Sequence, residues 1–159
     1  MMDPNEDDFN PDRPAKVHCR HFILCKTVWY DPTVPDDFSL GHVVIHLRPP
    51  NGSFPAYFER LFAHFQLYGT PGEYRYRIRL VRIDTEGYDG EEEIQLGGDS
   101  EPLEWPGSRP VVVSGEDFVD PFAVPLKDVE ILEAGVYEFQ LWIDGLDETV
   151  GRERIQARA

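Results

Sequence analysis

Cysteine is scarce in this chain, with only Cys19 and Cys25 among its 159 residues. The two thiols are six positions apart in one predicted strand, which places them on the same face of that strand and about 20 Å apart. A disulfide cannot span this distance, so we expect both thiols to be free. An export signal is also lacking, because the first residues are acidic where a signal peptide carries basic and apolar segments. Together these absences predict a cytoplasmic protein.

Long apolar runs and positive charge are in short supply as well. No apolar run comes near the roughly 18 residues that a membrane-spanning helix needs. The chain has 15 Lys and Arg against 30 Asp and Glu, which gives a formal net charge of −15. Nucleic-acid binding depends on cationic side chains that displace counterions, so such a surface repels a phosphate backbone. We therefore expect neither a membrane nor nucleic acid as a partner.

What the sequence does contain favours β-structure. Aromatic residues make up 13% of the chain, and 13 glycines and 14 prolines supply many turn positions. Residues 1–15 carry many acids and little apolar surface, so they are predicted to be a flexible acidic tail. Residues 16–159 are long enough to bury the core of a single domain. The spacing of strands and turns predicts an antiparallel β-sandwich, immunoglobulin-like or jelly-roll, of about eight or nine strands.

Strand patterns can be placed along the first half of the chain. The segments 16–30 and 38–47 are rich in β-branched and aromatic residues, and the first can accommodate a bulge. Residues 74–80 alternate aromatic or aliphatic side chains with arginine. The segment 54–68 fits both helical and strand periodicity. We predict that it ends in a strand paired with 74–80, after at most one short helical turn at 56–60.

The second half begins with shorter elements and ends in a clear hairpin. Residues 103–107 are predicted to form a loop whose Trp105 folds back on the core. Short strands are predicted at 111–113 and at 122–126, where Pro125 favours the edge of a sheet. In the segment 133–156 two strands flank the turn dipeptide Asp144-Gly145, which predicts an antiparallel hairpin.

One part of that hairpin matches a known corner. The residues Glu133-Ala134-Gly135-Val136-Tyr137-Glu138-Phe139 resemble the acidic-x-Gly-x-Tyr-x-Cys turn before the penultimate strand of immunoglobulin-like domains. The resemblance implies that Tyr137 is buried and that its hydroxyl bonds to the backbone near Glu133. Phe139 occupies the cysteine position, so no inter-sheet disulfide is implied. The corner is shared by unrelated proteins, so it implies architecture and no function.

A broader resemblance covers most of the chain. The order of a first strand with His and Cys, a strand near 38–47, a Phe-Pro-Ala segment, the alternating strand at 74–80 and the final Gly-x-Tyr-x-Phe hairpin is similar to a family of uncharacterised bacterial single-domain β-sandwich proteins. The resemblance implies a fold and no catalytic role.

Histidines are the candidate metal ligands. A zinc or iron site needs three or four converging His, Cys or carboxylate ligands. His42 and His46 lie about 13 Å apart along a strand, so they cannot share an ion there. We expect half-exposed strand histidines and no cofactor. The alternative is a metal-binding protein or metal-dependent enzyme that uses a set of His and Cys side chains: His18, His21, His42, His46, His64 and Cys25.

Two charged segments are also candidates. Arg75, Arg77 and Arg79 form a row on one face of their predicted strand, and we expect cross-strand carboxylates to pair with them rather than a ligand. Residues 84–93 hold many acids but break the EF-hand pattern, so they are predicted to be a solvated hairpin tip.

No nucleophile set, Cys-x-x-Cys pair or phosphate-binding glycine loop occurs in the sequence. We therefore favour a non-enzymatic β-sandwich module that contacts a protein partner or its own copy. The first alternative is the metal site described above. The second is a carbohydrate-binding sandwich that uses exposed tryptophans, and its candidates are Trp29, Trp105 and Trp142.

Overall fold

The structure is a computed structural model that describes residues 15–34, 38–84, 92–94, 103–117 and 119–159, with backbone alone at 38, 84 and 92–94. Within these residues every regular element is a β-strand, so the predicted all-β class is confirmed. The predicted acidic tail lies outside the described residues except for Ala15. Most of the predicted hairpin tip at 84–93 also lies outside them.

Fourteen strands follow one another in the described residues. They are β1 Val17–Tyr30, β2 Phe38–Val43, β3 His46–Leu47, β4 Ala56–Phe58, β5 Leu61–Gly69, β6 Gly72–Tyr74, β7 Tyr76–Asp84, β8 Glu92–Ile94, β9 Leu103–Pro106, β10 Val111–Val113, β11 Asp120–Leu126, β12 Val129–Ile131, β13 Gly135–Ile143 and β14 Thr149–Ala157. The number exceeds the eight or nine expected, because short strands form in segments that look like turns or loops in sequence. One of them, β4, replaces the helical turn expected at 56–60.

These strands form two larger sheets and two short ribbons. The six-stranded sheet has the order β3-β14-β13-β7-β8, and β9 pairs with β7 beside that path. The four-stranded sheet has the order β11-β5-β1-β2, and the ribbons are β10-β6 and β12-β4. The pairs are antiparallel except for β3 with β14, which is parallel. The segment 122–126 lies in β11 at a sheet edge, as its proline predicts.

Buried side chains from both larger sheets belong to one apolar core. Phe65 and Leu67 of β5 and Phe139 and Leu141 of β13 are each fully buried in it. The sheets approach closely at Gly151 of β14, where an added Cβ would lie 3.0 Å from the Sγ atom of Cys19 in β1. A side chain at this position would require the Cys19 thiol to move.

The C-terminal hairpin forms as predicted. β13 pairs with β14 from Gly135 opposite Ala157 onward, and Gly145 in the turn has a φ of 86°. Tyr137 is fully buried, and its hydroxyl donates a hydrogen bond of 2.6 Å to the carbonyl oxygen of Glu133. The predicted burial and backbone bond of Tyr137 are therefore confirmed.

The predicted pairing of segment 54–68 with 74–80 is wrong. β5 pairs with β1 and β11 in the four-stranded sheet, whereas β7 pairs with β13 in the six-stranded sheet. The chain leaves its sheet at Gly69, whose φ is 137° and whose N–H bonds to the carbonyl of Gly115. Thr70 then bonds to the carbonyl of Lys16. These bonds hold the turn away from a hairpin geometry and carry the chain to the other sheet.

Two further segments differ from expectation. The predicted strand 38–47 divides into β2, which pairs with β1, and β3, which pairs with β14 in the other sheet. The predicted loop at 103–107 is strand β9. Trp105 packs against the core as expected, with its ring 6.1 Å from that of Phe139. Among the described residues, no helix has the length and apolar character that crossing a membrane requires.

Candidate functional site

The side chains of β13 divide between the core and the opposite face of the six-stranded sheet. Tyr137 and Phe139 are buried in the core. Glu138, Gln140 and Trp142 point to the other side, because successive side chains of a strand alternate between its faces. Glu138 and Gln140 are nevertheless only 2% and 0% exposed. Polar side chains this buried on the outside of a sheet must be covered by their neighbours and must find hydrogen-bond partners.

Arginines from both neighbouring strands provide that cover. In β7, Arg77 lies opposite Trp142 and Arg79 lies opposite Gln140. In β14, Arg152 lies opposite Gln140 and Arg154 lies opposite Glu138. Side chains directly opposite each other share a face of the sheet. We name this surface the arginine face, and it consists of Arg77, Arg79, Arg152, Arg154, Glu138, Gln140 and Trp142.

A chain of hydrogen bonds runs down the middle of the arginine face. The indole N–H of Trp142 donates to Oε1 of Gln140 at 3.1 Å, and Nε2 of Gln140 donates to Oε1 of Glu138 at 2.8 Å. Nε of Arg154 donates to Oε2 of Glu138 at 3.0 Å, and the guanidinium of Arg152 lies 3.8 Å from Oε1. The buried carboxylate is therefore fully engaged, which fixes the amide of Gln140 and the ring of Trp142.

Arg77 and Arg79 are held less tightly. The guanidinium carbon of Arg77 lies 5.6 Å from the centre of the Trp142 ring, and its Nε is 3.8 Å from a carboxylate oxygen of Glu104. Both members of that ion pair are more than 40% exposed. Arg79 has no ion pair within the described residues, and the buried Nε atoms of both arginines have no hydrogen-bond partner there. Because these Nε atoms are buried, a ligand can meet the two partly exposed side chains only through their terminal N–H groups.

The local charge of this surface is opposite to that of the chain. Four arginines against the carboxylates of Glu104 and Glu138 leave a formal +2, whereas the whole chain carries −15. Guanidinium groups recognise carboxylates and phosphates through paired N–H donors. Glu138 is bound by Arg154 and Gln140, so it is poorly placed to transfer a proton. The arrangement suits binding of an anion.

The expectation that the arginine row pairs with cross-strand acids is met only in part. Glu104 forms an ion pair with Arg77. Arg79 lies opposite Gln140 on one side and Glu104 on the other, but it forms no ion pair with Glu104. Arg152 and Arg154 of β14 are not among the predicted candidates, because the pattern of that strand indicates only which apolar side chains can enter the core. The sequence does contain one indication of this surface. Glu138, Gln140 and Trp142 alternate along one face of β13, and the returning strand carries the pattern Arg-x-Arg at 152–154.

The five predicted metal candidates do not meet at one point. They lie on four strands: His18 and His21 on β1, His42 on β2, His46 on β3 and His64 on β5. β2 and β3 belong to different sheets, which separates His42 from His46. His18 packs on Tyr68 with ring centroids 5.2 Å apart. In the described part of the chain, no group of three or more His, Cys, Asp or Glu is placed to hold a metal ion.

His64 is the buried member of this set. It lies opposite Ile23 in the ladder and is 7% exposed. Burial lowers the pKa of His64 below its ordinary value, and the neighbouring positive charge of His21 lowers it further. Both effects favour the neutral imidazole.

Both cysteines are free thiols, as predicted, but they do not share a face. Cys19 lies opposite Leu67 and Cys25 lies opposite Phe62, and these partners are five positions apart on β5. An odd separation places them on opposite faces. The bulge of β1 between Cys19 and Phe22 inserts the extra residue that reverses the alternation. Burial raises the pKa of Cys19 to about 11.

The three tryptophans have different environments. Trp29 is 56% exposed and lies over Gly41, where an added Cβ would be 2.6 Å from the ring. Trp105 stacks on Phe139 in the core, and its N–H donates to the carbonyl of Lys127. Trp142 belongs to the arginine face. Trp29 therefore presents the most accessible indole ring of the three.

Comparison with known proteins identifies no family for this chain. No family model and no curated protein matches the chain. Among solved structures, the chain is similar to the Pseudomonas fluorescens alkylpurine DNA glycosylase AlkC bound to DNA containing an abasic site analog. The TM-score is 0.41 and the sequence identity is 13%, over 91% of this chain and 31% of the glycosylase chain. The chain thus spans less than a third of that protein, and a likeness this low supports no inference about function.

The similar structure contains DNA, so the comparison gives no support to the expected exclusion of nucleic acid. The exclusion is corrected. It rested on the net charge of −15, which describes the surface as a whole. The arginine face shows that one part of the surface is locally positive, and a phosphate is among the groups that arginine binds. Nucleic acid is therefore not excluded as a partner.

Proposed function

We propose that the chain is a non-enzymatic β-sandwich interaction module that binds an acidic segment of a partner protein on its arginine face. The observation that carries the proposal is the set of four arginines on β7 and β14, the two strands that flank β13, in a chain with a net charge of −15. The free thiols support action in the cytoplasm, and the bond from Tyr137 to Glu133 supports an immunoglobulin-like corner.

The arginine face is prepared for a charged ligand before the ligand arrives. Gln140 is held between Trp142 and Glu138, so the middle of the surface is fixed. Arg77 rests on the Trp142 ring, which limits the conformations it samples. When a ligand must order such side chains on binding, the lost conformational entropy weakens its affinity. A ligand carboxylate that accepts bonds from Arg77 therefore meets a side chain that already packs on a fixed ring.

The distribution of charge favours a protein segment over a continuous phosphate backbone. Glu104 lies opposite Arg79 and also accompanies Arg77, so a carboxylate interrupts the positive row. An acidic peptide has separate carboxylates that can avoid Glu104, and its amides can bond to neighbouring polar groups. Trp142 and the arginines are also the residue types that contribute most at protein interfaces.

The test uses a ten-residue polyglutamate peptide and isothermal titration calorimetry at low and high salt. Replacing Arg77 and Arg79 by Gln removes two charges from the arginine face. The control replaces Arg48 and Arg158 by Gln, which removes the same charge from two exposed positions outside it. Each charge-assisted bond contributes roughly 1.5–3 kcal/mol, so the first variant should bind at least about tenfold more weakly. The control should bind like the parent.

Three outcomes would overturn the proposal. The parent chain binds no peptide, or both double variants lose affinity equally, or a single-stranded oligonucleotide of equal charge binds the parent more tightly than the peptide. The last outcome would assign the arginine face to nucleic acid. Circular dichroism melts of both variants establish that they are folded, since all four positions are at least partly exposed.

A second candidate function rests on Trp29. This residue is 56% exposed and its ring lies close to Gly41, so it offers an aromatic surface on which a sugar ring can stack. A glycan array probed with the parent and with Trp29→Ala tests this candidate. Binding that disappears in Trp29→Ala supports it, and an array without any bound glycan rejects it.

A further inference from the structure

A cleft of about 550 Å³ lies between the segment 50–55, strand β4 and strand β1. It shares no residue with the arginine face. Cavities of roughly 300–1,000 Å³ are the size that small-molecule ligands occupy in proteins. The side chains that matter for its chemistry are Lys26, Asn51, Ser53, Tyr57, Glu59 and Arg60.

Two cations stand at this cleft with one acid. Cys25 of β1 pairs with Phe62 of β5, which places Lys26 beside the start of β5, and Arg60 precedes that strand in the same lining. Within the described residues, neither Lys26 nor Arg60 takes part in an ion pair. Glu59 is the single carboxylate of the lining. The cleft therefore has a formal charge of +1 on a strongly acidic chain, and neither cation is neutralised by an ion pair from the part of the chain that the structure describes.

The lining also contains an aromatic side chain, because Tyr57 of β4 belongs to it and is 60% exposed. Pro50 and Pro55 line the same cleft and limit its flexibility, because a proline ring fixes its own backbone angle. Asn51 and Ser53 add neutral hydrogen-bonding groups to the lining.

We propose that this cleft binds a small molecule that carries a carboxylate or a phosphate on a planar apolar body. The anionic group is held by Lys26 and Arg60. The planar body stacks on Tyr57, where aromatic rings gain from offset contact. Asn51 and Ser53 bond to polar atoms between these two parts of the ligand. The site does not depend on the arginine face.

The experiment titrates phenyl phosphate, benzoate and inorganic phosphate into the ¹⁵N-labelled protein and follows amide resonances. Binding of either aromatic anion should shift resonances of residues 50–61. Lys26→Gln and Arg60→Gln should each weaken that binding roughly tenfold, and Tyr57→Ala should weaken the aromatic probes while leaving inorganic phosphate unchanged. Arg48→Gln, at an exposed position outside the cleft, is the matched control and should have no effect.

Each outcome decides a part of the proposal. A response to phenyl phosphate alone assigns the phosphate class, and a response to benzoate alone assigns the carboxylate class. The proposal is overturned if millimolar aromatic anions shift no resonance of the cleft, or if the variants bind like the parent. Equal affinity for inorganic phosphate and phenyl phosphate overturns the role of Tyr57. The double variant of Arg77 and Arg79 should leave this binding intact, which separates failure here from failure of the arginine face.

Discussion

Replacing Tyr137 tests the corner before β13 more directly than any other substitution. Tyr137 is fully buried, and its hydroxyl donates a 2.6 Å hydrogen bond to the carbonyl of Glu133, four residues earlier. Tyr137→Phe keeps the ring in the core and removes only the donor. Tyr137→Ala removes the ring as well. The two variants therefore separate the free energy of the hydrogen bond from that of core packing.

The expected magnitudes differ several-fold. Loss of one hydrogen bond should cost Tyr137→Phe about 0.5–1.5 kcal/mol of unfolding free energy. The cavity left by an aromatic ring should cost Tyr137→Ala about 3–5 kcal/mol. For a chain of this size 1 kcal/mol corresponds to roughly 2–4 °C in Tm, so Tyr137→Phe should melt roughly 1–6 °C below the parent.

The assay is urea and thermal unfolding, with two reference variants. Tyr74 donates a 2.7 Å bond to the carbonyl of Thr70, also four residues earlier, so Tyr74→Phe should show a loss of similar size. Tyr57 is 60% exposed, and Tyr57→Phe should be nearly neutral. If Tyr137→Phe unfolds like the parent while Tyr137→Ala is strongly destabilised, Tyr137 contributes packing alone and the reasoning about the corner is refuted.

The same side chain makes a prediction about pH. Burial raises the pKa of Tyr137 above its ordinary value near 10. The folded state therefore favours the neutral phenol. Its contribution to stability is complete below that ordinary value and is lost as the pH rises through the higher pKa of the folded state. Stability of Tyr137→Phe should accordingly fall less steeply than that of the parent above about pH 10.

Three further predictions concern other parts of the chain. Cys25 is fully buried, and burial raises the pKa of Cys19 to about 11. A thiol reagent at pH 8 should therefore label both cysteines slowly in the folded protein and rapidly in urea. Rapid labelling of the folded protein would contradict this prediction. The pKa of His64 is lowered, so stability should be lost as the pH falls below about 6.5, and His64→Gln should flatten this dependence in urea titrations. Gly69→Ala should cost more than about 2 kcal/mol, because φ is 137° and the new Cβ would lie 2.1 Å from a backbone oxygen. Gly52→Ala has a positive φ but open space, so its smaller loss is the control; equal losses would show that the close contact does not matter.

Local patterns predicted strands well and pairing poorly. The alternation in 135–143 and 74–80 identified β13 and most of β7, because each strand buries one face and the sequence repeats with that period. Which strands become neighbours depends on turns. The segment 69–72 has the composition of a hairpin turn, but its N–H groups bond to residues from distant parts of the chain. A single sequence contains no record of such long-range partners.

The sequence predicted only two of the four arginines in the candidate site. Arg77 and Arg79 were visible because they alternate with apolar residues in one strand. The role of Glu138 was not visible, since an acid in a strand is ordinarily exposed, and its burial at 2% depends on its opposite neighbours, Val81 in β7 and Arg154 in β14. Recognising the surface required the register of three strands. That register places Arg154 opposite Glu138, and it follows from the turn at Gly145 together with a register shift between Leu141 and Trp142.

The interleaving of the two larger sheets has a consequence for how the chain folds as it is made. β11, at 120–126, belongs with β1, β2 and β5, although β7, β8 and β9 come between them in sequence. Residues 46–47 of β3 must wait for residues 156–157 of β14 before they can pair. A ribosome that has released only the first hundred residues has therefore supplied neither sheet in full. Contacts this distant in sequence are slow to form, and unpaired strand edges would stay exposed meanwhile. During synthesis, the early strands should therefore need protection from aggregation until the last hairpin has emerged.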